Sequence, residues 1–217
     1  HDKNAIFITG NTAIDALQHT VREDYENEIL NIIPEDHKII LMTMHRRENQ
    51  GKPMEQVFRA IRQVVDEYPD IEMIYPVHLN PVVQELAKAH LGDHERIHLI
   101  APLDVIDFHN VAARSYMIMS DSGGVQEEAP SMGIPVLVLR DTTERPEGVE
   151  AGTLKLVGTE TKDVIEAMTE LLDNAASHKK MSEAANPYGD GKASQRILDC
   201  IAYEFGCTDH RPEEFKY

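Results

Sequence analysis

Residues 116–124 read YMIMSDSGG, an apolar run that passes directly into Asp121-Ser122-Gly123-Gly124. The apolar run predicts a strand buried on both faces, and a helical pattern begins at the glycine pair. In parallel α/β sheets, ligands bind beyond the carboxyl ends of strands that turn into helices in this way. This stretch therefore predicts an α/β fold and a candidate site at one edge of its sheet.

The same alternation recurs along the chain. We predict strands at residues 39–44, 72–77, 97–100, 116–120, 136–139 and 153–156. Helical patterns stand at 53–68, 80–90, 104–113, 123–129, 161–173, 177–184 and 193–205, and another at 11–28 follows the strand-like run 6–9. Strand–helix–strand alternation predicts a Rossmann-like, doubly wound parallel sheet.

The composition of the chain excludes several classes of protein. The 217 residues carry 41% hydrophobic content, enough for a substantial core, and a formal net charge of −17, which opposes binding to nucleic acid or anionic membranes. No apolar run reaches the roughly 18 residues of a membrane helix, and two cysteines do not make a disulfide scaffold, so we expect a cytoplasmic protein. Because the chain begins at His1, we expect part of a longer protein.

Ser122, Gly123 and Gly124 form the first candidate site. Adjacent glycines let a ligand approach the backbone closely, and the free N–H groups of a new helix suit a diphosphate. An ordinary tight strand–helix turn would have the same residues. Glu127 and Glu128 follow one turn later, where they either accept bonds from sugar hydroxyls or merely favour the helix dipole on a solvated face.

Three further segments follow predicted strands with anion-binding side chains: 45–49 (HRREN), His78, and 141–147 with Arg145. Arginine offers forked donors for phosphate, and histidine can donate a bond or a proton. Each alone could be a solvated loop, but all should meet at one edge of the sheet. The sequence shows no phosphate-binding Walker loop, no zinc-type cysteine or histidine spacing and no serine-hydrolase motif, so we predict no metal and no cofactor.

Taken together, these segments resemble a known family. The runs 45–49, 75–81 (YPVHLNP), 121–128 and 141–147, with 150–153 and 186–191, are similar to segments of bacterial non-hydrolysing UDP-N-acetylglucosamine 2-epimerases. The resemblance extends from about residue 7 to residue 205. It implies the second domain of the two-domain GT-B arrangement found in glycosyltransferases, with residues 1–30 as an interdomain crossing segment and helix, 31–185 as a Rossmann-like UDP-binding domain, and 186–217 as a helix that returns to a missing N-terminal domain.

The resemblance also implies roles for individual residues. Ser122, Gly123 and Gly124 would hold the diphosphate with Arg145, and Glu128 would bind the ribose. Leu103 and Phe108 would lie beside the uracil and contact it through their backbone groups. His45 would line the reaction centre, and Arg46 and His78 would belong to a second, allosteric UDP-N-acetylglucosamine site.

The implied activity is an isomerase that interconverts UDP-N-acetylglucosamine and UDP-N-acetylmannosamine without NAD, by eliminating UDP and adding it back, in a full-length homodimer that supplies polysaccharide synthesis. The main catalytic carboxylates would lie in the missing half, so we expect this chain alone to be inactive. Two alternatives remain open: the donor-nucleotide domain of a GT-B glycosyltransferase, and a non-catalytic nucleotide-sugar-binding fragment.

Overall fold

The computed structural model describes residues 3–217. Its six strands are Lys38–Thr43 (β1), Ile71–Pro76 (β2), Ile97–Ile100 (β3), Met117–Ser120 (β4), Val136–Val138 (β5) and Leu154–Leu156 (β6). All pair in parallel, in the order β3-β2-β1-β4-β5-β6. The strand order reverses between β1 and β4, the topological switch point at which doubly wound sheets bind ligands. The predicted α/β class is confirmed, and each strand begins and ends within one residue of its predicted bounds.

Helices cover both faces of the sheet. They are Thr12–Thr20 (α1), Glu28–Asn31 (α2), Lys52–Glu67 (α3), Pro81–Leu91 (α4), Val105–Ala113 (α5), Gly123–Glu128 (α6), Pro146–Ala151 (α7), Thr161–Asp173 (α8), Ala175–Ser182 (α9) and Ala193–Glu204 (α10). Local chemistry sets several starts: Asn80 caps α4 through the Val82 N–H, and Asp104 caps α5 through the Asp107 N–H. Among residues 3–217, no helix combines the length and apolarity needed to cross a bilayer.

Two apolar clusters hold the layers together. On one face α3 and α8 pack together over the sheet, and the predicted stripe of α3 (Val57, Ile61, Val64 and Val65) is fully buried. On the other face the cluster includes Val111 of α5, Val125 of α6 and side chains of β4 and β5. Truncating a fully buried side chain such as Phe58 to alanine would cost about 3–5 kcal/mol, because the cavity could close only in part.

The predicted helix 11–28 is wrong in its second half. The α1 helix ends at Thr20, and Val21 is already extended. The buried side chain of Asn110 stops the helix: its Nδ2 donates to the Thr20 carbonyl at 2.7 Å, and its Oδ1 accepts from the Arg22 N–H at 2.9 Å. A tertiary contact 90 residues away thus ends a helix that local sequence would continue.

Other differences are smaller. The run 6–9 forms no strand, and α7 was not predicted because its sequence, PEGVEA, reads as a charged connection. The helix predicted at 177–184 begins at Ala175, where Asn174 caps it through two backbone N–H groups. The first two residues of the predicted crossing segment 1–30 lie outside the described residues.

The two ends of the chain pack together, and we call residues 6–20 and 186–217 the terminal layer. Asp15 of α1 accepts bonds from the N–H groups of Ala193 and Ser194 at the start of α10, and the Phe215 N–H donates to the Ile8 carbonyl at 2.7 Å. A carboxylate at a helix N-terminus is favourable because it meets both free N–H groups and the positive end of the helix dipole. The N-terminal and C-terminal parts of the layer are therefore joined at α1, and α1 also packs against α5 and α6.

Candidate functional site

A buried carboxylate organises the loop after β1. Asp121, directly after β4, is fully buried and accepts from the backbone N–H groups of His45 (3.0 Å) and Arg46 (2.8 Å) and from Asn49 Nδ2 (2.9 Å). It also contacts His45 Nδ1 at 3.0 Å. Because an ionised carboxylate only accepts, this contact favours the His45 tautomer with its hydrogen on Nδ1. Asp121 therefore joins the ends of two neighbouring strands and leaves His45 Nε2 as the acceptor.

His78 lies against His45. The two ring centroids are 5.4 Å apart, with the rings inclined at 65°. His78 Nδ1 accepts from the Asn80 N–H at 3.0 Å, so its hydrogen is on Nε2. The structure thus brings together two histidines that follow β1 and β2.

Two guanidinium groups flank the start of α6. A Cβ atom added to Gly123 would lie 3.7 Å from Arg145 Nη2 and 4.0 Å from Arg46 Nη2. Arg46 is held in place by a 2.9 Å bond from its Nε to the Asp121 carbonyl. An open cleft of about 520 Å³ lies here, lined by residues 45–48, Ser122 and Gly123. The predicted meeting of the loops after β1, β4 and β5 is confirmed at this point.

Glu127 holds Arg145 in its position. Its carboxylate is ion-paired with Arg145 Nε and accepts from Asn11, and its side chain is only 16% exposed. Behind Arg145, the Tyr188 hydroxyl donates to the Arg145 carbonyl and accepts from the Gly148 N–H, and burial raises the pKa of Tyr188 to about 12. Glu127 is therefore a partner of Arg145 rather than a residue of a solvated face.

Glu128 points the other way. Its Oε2 lies 3.3 Å from Nε2 of the buried His109. A Cβ added to Gly124 would lie 3.8 Å from Glu128 Oε1 and 3.9 Å from Ser122 Oγ. One carboxylate oxygen thus has a partner within the protein, and the other faces the glycine turn.

Arg140 pairs with the acidic residues beside Arg46. It binds both carboxylate oxygens of Glu144 and lies 3.1 Å from Glu48. The Arg140 guanidinium lowers the pKa of Glu144 to about 2. Arg140 carries one charge against two, so it offsets these carboxylates only in part, and Arg46 also lies 3.7 Å from Glu144 and 4.0 Å from Glu48.

Leu103 and Phe108 lie farther from the glycine turn. Leu103 follows β3 and Phe108 stands in the first turns of α5, and both half-buried side chains pack against the second apolar cluster. The Phe108 N–H already donates to the Asp104 carbonyl at 2.9 Å. Their connection to the turn runs through the neighbouring His109, which contacts Glu128.

Sequence reasoning missed His109 and Arg140, and it gave Asp121 and Glu127 no part in holding other side chains of the site. The sequence position of Asp121 and Arg140 could have identified them, since Asp121 directly follows β4 and Arg140 stands two residues after β5, at the same edge of the sheet. His109 had no such signal, because it sits inside a helix. Within residues 3–217, no group of three or more histidine, cysteine or acidic side chains is placed to hold a metal ion.

Comparison with known proteins supports the resemblance. The family model described as UDP-N-acetylglucosamine 2-epimerase matches residues 1–202. The UDP-N-acetylglucosamine 2-epimerase of Bacillus subtilis is 58% identical over 98% of this chain and 56% of its own length. The crystal structure of a putative UDP-N-acetylglucosamine 2-epimerase from Listeria monocytogenes is 59% identical, with a TM-score of 0.95 over 100% of this chain and 58% of that one.

A structure of S. aureus MnaA with UDP is 54% identical, with a TM-score of 0.96 over 99% of this chain and 59% of that one. The glycosyltransferase WaaG, at 14% identity and a TM-score of 0.57, shares the fold alone. This chain spans a little over half the length of these relatives and matches their C-terminal part. By sequence and structure alike, it belongs to the UDP-N-acetylglucosamine 2-epimerase family.

Proposed function

We propose that this chain is the UDP-binding part of an enzyme that interconverts UDP-N-acetylglucosamine and UDP-N-acetylmannosamine. The observation that carries the proposal is the convergence of the Arg46 and Arg145 guanidinium groups on Gly123. Paired guanidinium groups beside the N–H groups of a helix start suit the two phosphates of UDP. The related S. aureus structure, which contains UDP, supports this choice of ligand.

The acidic surface does not rule out an anion at this site. The chain has a net charge of −17, but screening limits its field to about 8 Å at physiological ionic strength. Within that range of Gly123 stand Arg46 and Arg145, and Arg140 offsets part of the acidic charge nearest to Arg46. Because Arg46 and Arg145 also pair with acidic side chains, the diphosphate would be held by directed guanidinium and backbone N–H donors rather than by a net positive charge.

The remaining UDP contacts follow the strand ends. Ser122 and Gly124 would complete the diphosphate cradle, and Glu128 Oε1, which faces Gly124, would accept bonds from the ribose hydroxyls. Leu103 and Phe108 would border the uracil.

The chemistry implied by family membership is an elimination. A base removes the proton from C2 of the sugar while the bond from C1 to the UDP oxygen breaks, giving a glycal-like intermediate. A proton then returns to the other face of C2, and UDP adds again to C1. This chain would stabilise the departing diphosphate, and His45 would present Nε2 to the reaction centre because Asp121 holds its Nδ1.

Two further assignments belong to the proposal. Arg46 and His78 would bind part of a second, activating UDP-N-acetylglucosamine, since His78 packs on His45 and Arg46 flanks the same cleft, where its guanidinium group would contact both ligands. Residues 1–30 and 186–217 would join this domain to an N-terminal domain that carries the catalytic base. The complete protein would be a cytoplasmic homodimer.

Binding of UDP tests the site. We expect a Kd on the order of 0.1–1 mM, about −4 to −5.5 kcal/mol, because one side of the cleft would be open. The affinity should be the same in EDTA, since arginines and backbone N–H groups do the binding. Titration calorimetry with and without EDTA measures both quantities, and binding that disappears on chelation would refute the metal-free site.

Turnover tests the division of labour. The chain alone should not exchange the C2 proton of UDP-N-acetylglucosamine in deuterated water, whereas a full-length family member run in parallel should. Proton NMR follows the exchange. Exchange by this chain well above a sample without protein would show that its own residues supply the base.

A further inference from the structure

A chain of polar contacts runs from α1 through α5 to Glu128. Thr20 Oγ1, at the end of α1, lies 2.8 Å from His109 Nδ1, and His109 Nε2 lies 3.3 Å from Glu128 Oε2. The His109 side chain is 5% exposed and that of Glu128 is 21% exposed. A mostly buried imidazole thus lies between a hydroxyl and a carboxylate.

Hydrogen-bond accounting places a hydrogen on His109 Nε2. Thr20 Oγ1 has one hydrogen, and the carbonyl of Ala16, 3.1 Å away, competes with His109 for it. If Thr20 donates to His109, the imidazole is neutral and its hydrogen is on Nε2. If Thr20 donates to Ala16, Nδ1 must donate to Thr20, and only an imidazolium can then also bond the carboxylate. Both arrangements that bond His109 to an ionised Glu128 make Nε2 the donor.

The Thr20 end of this series of polar contacts is held in place by Asn110. Asn110, next to His109 and fully buried, donates to the Thr20 carbonyl and accepts from the Arg22 N–H. These bonds pin Thr20 against α5, so the hydroxyl that contacts His109 cannot drift with the end of α1. The orientation of the imidazole is therefore set from both sides.

We propose that His109, held by Thr20, is the positioning residue that sets the preference of this site for a ribonucleotide over a 2′-deoxyribonucleotide. By engaging Oε2, it turns Oε1 toward the glycine turn, where the ribose hydroxyls would bind. The inference rests on the proposed role of Glu128. It adds that Thr20 of α1 and His109 of α5, neither of which is placed in contact with the nucleotide, determine the discrimination.

Affinities for UDP and 2′-deoxy-UDP test the inference. His109→Leu should weaken UDP binding by roughly 3- to 10-fold and 2′-deoxy-UDP binding by clearly less, because the deoxynucleotide offers Glu128 only its 3′-hydroxyl. His109→Gln, whose amide can still donate near the Nε2 position, should restore most of the preference. General damage to the fold would weaken both nucleotides, as would a loss of the diphosphate site.

The Thr20 pair provides a milder check and replaces His109→Leu if that variant does not fold. Thr20→Val should lower the preference and Thr20→Ser should keep it. Full preference in His109→Leu, or in Thr20→Val when that variant must stand in for it, would overturn the inference, as would equal weakening of both nucleotides.

Glu128→Gln distinguishes a failure of the positioning role of His109 from a failure of the ribose assignment of Glu128. If Glu128→Gln abolishes the preference but the His109 and Thr20 variants keep it, only the positioning role fails. If Glu128→Gln keeps it, the ribose assignment fails and takes the inference with it.

Discussion

The carboxyl edge of the sheet and the terminal layer differ in where their polar and apolar side chains lie. At the edge, Asp121 is fully buried and its carboxylate is surrounded by donors from a neighbouring loop. In the terminal layer, apolar side chains stand in solvent: Leu198 is 60% exposed, Ile201 50% and Phe205 82%. The polar contacts of Asp121 are complete within the chain, whereas the layer presents an apolar surface suited to packing. The comparison supports the proposal that the nucleotide binds at the first region, and it predicts association through the second.

The largest expected effect is at the edge. Asp121→Asn should lower the free energy of unfolding by about 3 kcal/mol, because an amide offers one acceptor oxygen where the carboxylate offers two, and its NH₂ would face donors. Chemical denaturation measures the loss. The exposed Asp36→Asn is the matched control and should change stability by less than about 0.5 kcal/mol. Equal effects from the two variants would show that the edge is not a cooperative unit.

A smaller effect divides the edge into two functions. Arg145→Ala should weaken UDP and 2′-deoxy-UDP about equally, by about 1–2 kcal/mol, because it acts on the diphosphate that both share. Glu128→Gln should cost a similar amount for UDP and less for 2′-deoxy-UDP, which lacks the 2′-hydroxyl, so most of the preference should disappear. Titration of both nucleotides against both variants gives the four affinities. The division fails if Arg145→Ala changes the ribose preference.

The terminal layer should respond in association rather than in stability. Leu198→Glu combined with Phe205→Glu should change the free energy of unfolding by less than about 1 kcal/mol, since both side chains are exposed. The unmodified chain should self-associate through this surface, and the double variant should not. Sedimentation across a range of concentrations compares them. A strictly monomeric unmodified chain would contradict the expectation.

The smallest effect concerns acid. Bonding to Arg196 lowers the pKa of Asp190, beside the start of α10, to about 2. A carboxyl group whose pKa is lowered in the folded state stabilises the fold fully at pH values above its ordinary pKa. That contribution is lost as the pH falls from about 4 to about 2. The difference in melting temperature between the unmodified chain and Asp190→Asn should therefore shrink over that interval. A difference that stays constant down to pH 2 would exclude the ion pair as its cause.

Sequence patterns anticipated the sheet because its strands are buried on both faces and read as nearly continuous apolar runs. They failed where a distant side chain decides local structure, as when Asn110 ends α1 at Thr20. The same division holds for the site. Position after a strand predicted that Arg46, Ser122 and Arg145 would meet, but no local pattern could show that His109 reaches Glu128.

The central claim is that a diphosphate binds between the two guanidinium groups at Gly123, and Gly123→Ala tests it directly. Gly123 does not have a positive φ, and its added methyl group would stand 3.7–4.0 Å from Arg145 and Arg46, which is ordinary contact. The unliganded protein should therefore keep or slightly raise its melting temperature, because alanine favours a helix over glycine. The methyl group would occupy the place of the phosphate, so the affinity for UDP should fall roughly tenfold or more, about 1.4 kcal/mol. Undiminished UDP binding by a stably folded Gly123→Ala variant would contradict the account.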